Sequence, residues 1–233
     1  MRHKKQYLKT LITILIPTHN RPHLLKRALD YYDDFGVKLI VGDSSEAIFF
    51  GAQNYNCEYH HLPNMPIIEK WTFLIRKLST PYHIFCTDDD LTIKSSIIKC
   101  LSFLENHPDY SCALGNILYF EQENKIKLDY HDSSYWYLCK QSNYNKKDPV
   151  ERILENFTDT LPVFYAVSRT KDMKEMLASF LDYKLSSAIF FEFWNYFHKY
   201  YKGYIKILPI LFAIRGEIPR EEAKEDLNLY ANL

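Results

Sequence analysis

The chain has 233 residues, with 29 Lys+Arg against 29 Asp+Glu, so its formal charge is zero. That balance lacks the basic footprint of a nucleic-acid partner, and the length suits one domain with a substantial core. Tyr (19) and Phe (15) are abundant while Gly is scarce at 6, which argues against Gly-rich phosphate loops.

The basic start MRHKKQYLK leads only into LITILI, too short for a signal-peptide core or a membrane span. LITILIP (11–17) is an apolar, β-branched run with the pattern of a buried parallel strand. Pro22 suits a helix start, and Leu24, Leu25, Ala28, Leu29 and Tyr32 carry helical spacing. VKLIV (37–41) reads as a second strand ending in Gly42-Asp43-Ser44-Ser45, and CEYHH (57–61) as a short third. Ile67, Ile68, Trp71, Leu74, Ile75 and Leu78 form one helical face before the strand YHIFC (82–86). Thr87-Asp88-Asp89-Asp90 ends that strand, Ile97 to Leu104 marks a helix, and SCALGNILYF (111–120) is another strand.

The second half is less periodic. Residues 121–148 are polar and Tyr-rich, an excursion or hairpin; Asp148 is a good cap for a helix opening at Pro149 and running to Phe157. PVFYAV (162–167) reads as a strand, Met173 to Phe180 as a helix, and Leu185 to Tyr201 as a long aromatic helix. YIKILPILFAI (204–214) reads as a strand in which Pro209 demands an edge or a bulge, and the charged tail from Pro219 as helical or frayed. Five widely spaced cysteines, with no CxxC pair, fit buried thiols at 86, 100 and 112 in a reducing, cytoplasmic setting.

Strands alternating with amphipathic helices predict an α/β fold, a mostly parallel sheet covered on both faces. Ligands of such sheets bind at the carboxyl ends of the strands. Polar clusters follow three of these strands: Thr18-His19-Asn20-Arg21, Asp43-Ser44-Ser45 and Asp88-Asp89-Asp90. Three consecutive carboxylates repel one another unless a cation or hydrogen-bond donors compensate them. Mg²⁺ and Mn²⁺ take oxygen ligands, typically one or two carboxylates plus substrate phosphates. If strand geometry persists through the run, Asp88 and Asp90 point the same way. An acidic turn capping the next helix explains the same residues; Asn20 and Thr18 suit a cap before Pro22, and Asp43 an Asx turn.

LITILIPTHNRPHLLKRALDYY resembles the opening of family 2 glycosyltransferases, VGDSS their second strand end, and STPYHIFCTDDD the strand carrying their DxD metal motif. The resemblance spans the first 120 residues in order. It implies a GT-A, Rossmann-like fold in a single domain (1–233), with a nucleotide-sugar half (1–120) and a smaller C-terminal acceptor half (121–233). It further implies a nucleotide base pocket lined by Pro17, Thr18 and Asn20 with Arg21 nearby, and Asp43 accepting a hydrogen bond from the base. Asp88, with Asp89 beside it, falls to the ribose or the metal's water shell, and Asp90 to a Mn²⁺ or Mg²⁺ ion bridging the diphosphate. Lys70 lies where relatives carry an Arg-Asn pair, replaced here by Trp71-Thr72; it reads as a phosphate contact or a solvated lysine.

An inverting enzyme of this kind needs a base for the acceptor hydroxyl. Glu192, an acid among aromatics in AIFFEFWNYF, and Asp159 in NFTDTLPVF are the candidates, and His198 reads as a packed or surface histidine. For Arg215, after the last strand, the resemblance implies a contact with the diphosphate, since relatives often carry a basic residue in a C-terminal loop; Asn116 suits either the cleft or a sheet edge. Tyr130, Tyr135, Trp136 and Tyr137 suit sugar stacking or an interface, and HKYYKGYIK (198–206) a partly buried helix end or peripheral contact with a membrane.

The expected activity is transfer from a UDP-type sugar donor to a glycan or lipid-linked acceptor, by a cytoplasmic chain that is complete or one domain of a larger protein. A sugar-phosphate nucleotidyltransferase is the rival enzyme class, but THNRPH lacks its Gly-rich loop. A catalytically degenerate binding module is the rival without chemistry.

Overall fold

The computed structural model describes residues 2–121, 136–137, 146–155, 163–184 and 187–217. A helix that the apolar spacing does not announce, α1 (Arg2–Leu11), precedes β1 (Ile12–Thr18). There follow α2 (Pro22–Tyr32), β2 (Lys38–Asp43), β3 (Glu58–His61), α3 (Ile67–Lys77), β4 (Tyr82–Phe85), β5 (Asp90–Thr92) and α4 (Lys94–Asn106). Then come β6 (Tyr110–Glu121), β7 (Trp136–Tyr137), α5 (Pro149–Glu155), β8 (Val167–Arg169), α6 (Thr170–Asp182), α7 (Ala188–Lys202) and β9 (Tyr204–Glu217).

The strands form one sheet in the order β3-β2-β1-β4-β8-β6-β9-β5, with β7 beside β6. β1 pairs in parallel with β2 and β4, and β2 with β3, as the apolar runs predict. β8 then joins β4 and β6 antiparallel, β6 and β9 run parallel, and β5 closes the order antiparallel to β9. Four strand spacings of about 4.8 Å would hold β4 and β5 roughly 19 Å apart in a flat sheet. Yet the chain from Phe85 to Asp90 spans at most about 17 Å when extended. The sheet therefore curls, and the β9–β5 edge returns towards the carboxyl ends of the parallel strands.

Side chains alternate across the sheet and build two cores. Ile12, Ile14 and Ile16 with Val41 and Ile84 face α2 and α4, while Leu15, Ile40 and Phe85 face α3 and α6. Each fully buried Ile or Leu contributes about 1.5–3 kcal/mol, and these two layers hold the strand ends in register. α7 contributes to both cores, Phe191 to one and Tyr196 and Tyr200 to the other.

Several local expectations change. PVFYAV is not one strand: Val163–Tyr165 is a 3₁₀ turn closed by the Ala166 N–H on the Val163 carbonyl at 3.1 Å, and pairing begins at Val167. Phe164 turns inward to stack on Phe85 with ring centroids 4.7 Å apart, so the apolar run reports burial rather than strand period. Pro209 marks a bulge and not an edge, since β9 lies between β6 and β5, and the register breaks between Leu114–Ile207 and Asn116–Leu211. Gly115 lets that bulge approach, because a Cβ there would stand 2.4 Å from the Ile210 carbonyl oxygen. The helix caps proposed for Thr18, Asn20 and the acidic turn do not form: Arg21 and Ile93 occupy the cap positions without side-chain capping bonds. Asp148 does cap α5, accepting from the backbone of Val150 (2.8 Å) and Glu151 (3.0 Å). Cys86, Cys100 and Cys112 are free and buried. Asp159, Tyr130, Tyr135, Cys139 and the tail from Pro219 lie outside the described residues.

Candidate functional site

β1 and β2 end side by side, Thr18 paired with Asp43, and β4 runs parallel on the other flank of β1. The chain leaving β1 turns at Asn20, whose φ of 52° is one that Asn tolerates better than most residues. Its N–H donates to Ser45 Oγ at 2.7 Å, tying the first polar loop to the second.

Asp43 is buried and accepts from three donors. Ser45 gives it a backbone N–H at 2.9 Å, an Asx turn, and a hydroxyl at 2.5 Å, both to Oδ1; Tyr59 donates to Oδ2 at 2.7 Å. The Asx turn and a ligand role are compatible, because each carboxylate oxygen accepts more than one bond. Lys70 is neither solvated nor at the rim. It is 3% exposed, and its ammonium donates to the Thr18 carbonyl and to Ser44 Oγ, both at 2.8 Å. A buried cation thus clamps the ends of β1 and β2 together.

Strand geometry does not persist through the acidic run. β4 stops at Phe85, Asp88 and Asp89 occupy a turn closed by the Asp90 N–H on the Thr87 carbonyl at 3.1 Å, and Asp90 opens β5. Asp88 and Asp90 consequently meet different partners. Asp88 Oδ2 accepts from Thr18 Oγ1 at 2.5 Å and faces Arg21 Nε at 3.6 Å, while Arg21 Nη1 stands 3.7 Å from Asp89 Oδ2. Asp90 lies directly across the β5–β9 ladder from Arg215, whose Nε is 3.1 Å from Oδ1 and 3.0 Å from Oδ2; Thr87 adds a bond of 3.0 Å. Arg27 of α2 donates to the backbone carbonyl of Asp89 at 3.0 Å.

Burial dominates the acids' electrostatics. Desolvation pushes Asp88 up to about 6 against the opposing pull of Arg21 and Thr18. It pushes Asp90 up to about 6 as well, with Arg215 the main opposing group. Asp88 Oδ1, itself buried, has no hydrogen-bond partner among the described residues.

On the other flank, the Arg215 guanidinium lies 3.9 Å from the Tyr165 ring centroid. The Tyr165 hydroxyl is raised by burial and responds to Arg215, Glu192 and Asp90, so these four groups share one neighbourhood. Solvent reaches Glu192, yet enough protein surrounds its carboxyl to raise its pKa, with Arg215 opposing. His198 is half-buried and pulled down to about 4 by burial, which favours the packed reading over the surface one.

The structure therefore brings Thr18, Arg21, Asp88 and Asp89 into one network, and joins Asp43 and Lys70 to it through Ser44 and Ser45. Pro17 is buried inside β1 opposite Gly42, while Asn20 sits exposed at the rim. Sequence reading misses Tyr59, Arg27 and Tyr165. Nothing in their spacing separates them from ordinary strand, helix and core residues.

The donor chemistry suits a divalent cation of the Mg²⁺ type. Among the described residues no group of three or more His, Cys, Asp or Glu converges, but such ions need only one or two carboxylates when phosphate oxygens complete the shell. The orphaned oxygen of Asp88 is an acceptor of that kind, whereas both oxygens of Asp90 already face Arg215.

The architecture is that of GT-A glycosyltransferases, a curled α/β sheet flanked by helices. Among solved structures it is similar to TarS of S. aureus. TarS 1–349 in complex with UDP matches with a TM-score of 0.60 at 15% identity, covering 95% of this chain and 64% of that one. TarS 1–349 with UDP-GlcNAc gives 0.59 at 14% identity, covering 90% and 59%. A longer TarS structure gives 0.58, covering 94% and 39%. The chain thus spans less than two thirds of each of these structures, and the likeness establishes the fold. No family model and no curated protein sequence matches the chain. Among the described residues no helix is long and apolar enough to cross a membrane.

Proposed function

We propose that the chain is a glycosyltransferase that moves a sugar from a UDP-linked donor to a glycan or lipid-linked acceptor, with inversion and with Mn²⁺ or Mg²⁺ held by Asp90 and Asp88. One observation carries this reading. The ends of β1 and β2 and the turn after β4 join through buried bonds among Thr18, Lys70, Ser44 and Asp88 at the ligand-binding edge of the sheet. The same fold is shared with a protein solved with UDP and with UDP-GlcNAc.

In this reading Asp43 meets the base, with Pro17 and Asn20 at its pocket, and Asp88, Asp89 and Arg21 meet the ribose and diphosphate side. Lys70 acts by positioning Thr18 and Ser44. The metal, when bound, supplies charge neutralisation for the departing nucleoside diphosphate. The acceptor hydroxyl attacks the sugar's anomeric carbon as the bond from that carbon to the phosphate oxygen breaks. Glu192 takes the hydroxyl proton, and its raised pKa suits a base working near neutrality. Residues 1–120 serve the donor and 121–233 the acceptor, and a lipid-linked acceptor would set the chain at the cytoplasmic face of a membrane.

The test is a panel of UDP-, GDP- and CDP-sugars incubated with the protein and Mn²⁺ or with chelator. Slow, Mn²⁺-dependent release of one nucleoside diphosphate supports the proposal. Absence of binding to any of the nucleotides refutes it and favours the binding-module alternative.

A further inference from the structure

Three consecutive carboxylates at residues 88–90 would repel one another, and the sequence alone points to a metal ion as the remedy. The structure already supplies one without metal. Arg21 faces Asp88 and Asp89, Arg27 holds the Asp89 carbonyl, and Arg215 engages both oxygens of Asp90. Two guanidiniums from α2 and its cap and one from β9 thus surround three acids, Arg21 and Arg215 at the carboxylates and Arg27 at the backbone, so the turn carries compensating charge before any ion arrives.

Arg215 differs from the other two in how it is held. It stands directly opposite Asp90 in an antiparallel ladder, so the backbone itself sets the pair, and the Tyr165 ring covers the guanidinium at 3.9 Å. Opposite charges directly across a ladder stabilise each other, and here the acid is 2% exposed, where the interaction is little screened. A divalent cation approaching Asp90 meets a carboxylate already paired and a fixed positive charge beside it.

We propose that Arg215 is the resident counter-ion of Asp90, and that it excludes divalent metal from this carboxylate until a nucleoside diphosphate arrives with the ion. The added phosphate charge offsets the second cation and offers the guanidinium another anion. Metal and nucleotide thus bind as a coupled pair, in either order of encounter, and the nucleotide-free protein holds metal weakly. The proposal rests on reading Asp90 as a metal ligand of the donor site.

The experiment is a Mn²⁺ titration followed by electron paramagnetic resonance on the full chain, without nucleotide. Wild type should bind weakly, Arg215→Gln at least tenfold more tightly, and Arg215→Lys, which keeps the cross-strand charge, close to wild type. Added UDP should tighten wild-type Mn²⁺ binding at least tenfold and that of Arg215→Gln by much less. Equal Mn²⁺ affinity of wild type and Arg215→Gln overturns the proposal, as does wild-type binding that UDP leaves unchanged. If Arg215→Gln fails to fold, the wild type still decides, through the Arg215 Nε–H resonance assigned by its loss in Arg215→Lys. Mg²⁺ with UDP should shift that resonance; saturation with both that leaves it in place overturns the proposal. UDP binding measured calorimetrically in the same samples tests the donor reading separately. Its loss would sink that reading, whereas UDP binding with uncoupled metal would sink only this one.

Discussion

The two flanks of the site are built differently. On the proposed donor flank, Asp43, Lys70 and Asp88 are each at most 3% exposed and bonded to neighbours on adjacent strand ends. On the other flank Glu192 is exposed on α7, within electrostatic range of Arg215 and Tyr165. A site that is prebuilt on one side and open on the other suits a protein that must recognise one ligand closely and admit a second. It also means that substitutions on the two flanks should fail in different ways.

The largest expected effect is at their junction. Asp90→Ala should lower metal-dependent donor turnover by roughly a hundredfold or more, the scale of losing a charge-stabilising group, while circular dichroism reports an intact fold. Unchanged nucleoside diphosphate release would remove Asp90 from the metal site. Next is Glu192→Gln, which should cut transfer by about 10²–10⁴-fold with UDP affinity within about twofold of wild type. Normal transfer would reassign the base and dissolve the contrast between flanks.

Smaller and of a different kind is Lys70→Met. It strips a buried cation from the Thr18 carbonyl and the Ser44 hydroxyl, leaving groups whose orphaning costs about 1–3 kcal/mol. Both melting temperature and UDP affinity should fall, because the same bond positions the pocket and holds β1 to β2. A loss of affinity with no loss of stability would instead indicate direct phosphate contact.

The smallest effect concerns the cost of burying charge. Asp88 is raised from 3.8 to about 6 in the folded protein. The folded state therefore holds that proton to higher pH than the unfolded chain does, and stability falls as pH rises from about 4 to 6, then levels off. Asp88→Asn should melt a few degrees above wild type at pH 7.5, with the gain vanishing towards pH 4. A variant less stable than wild type at pH 7.5 would mean that the Thr18 and Arg21 contacts outweigh desolvation.

How much of this is legible in the residue order differs between the flanks for the same reason. LITILIP, VKLIV and YHIFC are apolar because parallel strands are covered on both faces, and the polar residues that end them fall at the ligand-binding edge by the rule of the fold. Thr18, Asp43 and Asp88 were findable for that reason. Tyr59 and Arg27 were not, since a tyrosine in a half-buried strand and an arginine on a helix face look like their neighbours. PVFYAV misleads because consecutive burial in a turn imitates a strand, as Phe164 against Phe85 illustrates.

Local patterning by itself determined the α/β alternation, the strand ends and the acids they carry, because hydrophobic period and chain breaks act over a few residues. Tertiary structure alone decided that Asp88 and Asp90 face different arginines and that Lys70 is a buried clamp. It alone decided that Arg215, 125 positions from Asp90, stands opposite it. Those outcomes depend on the curl of the sheet and the β5–β9 register, which arise from packing between distant segments that no short window of sequence contains.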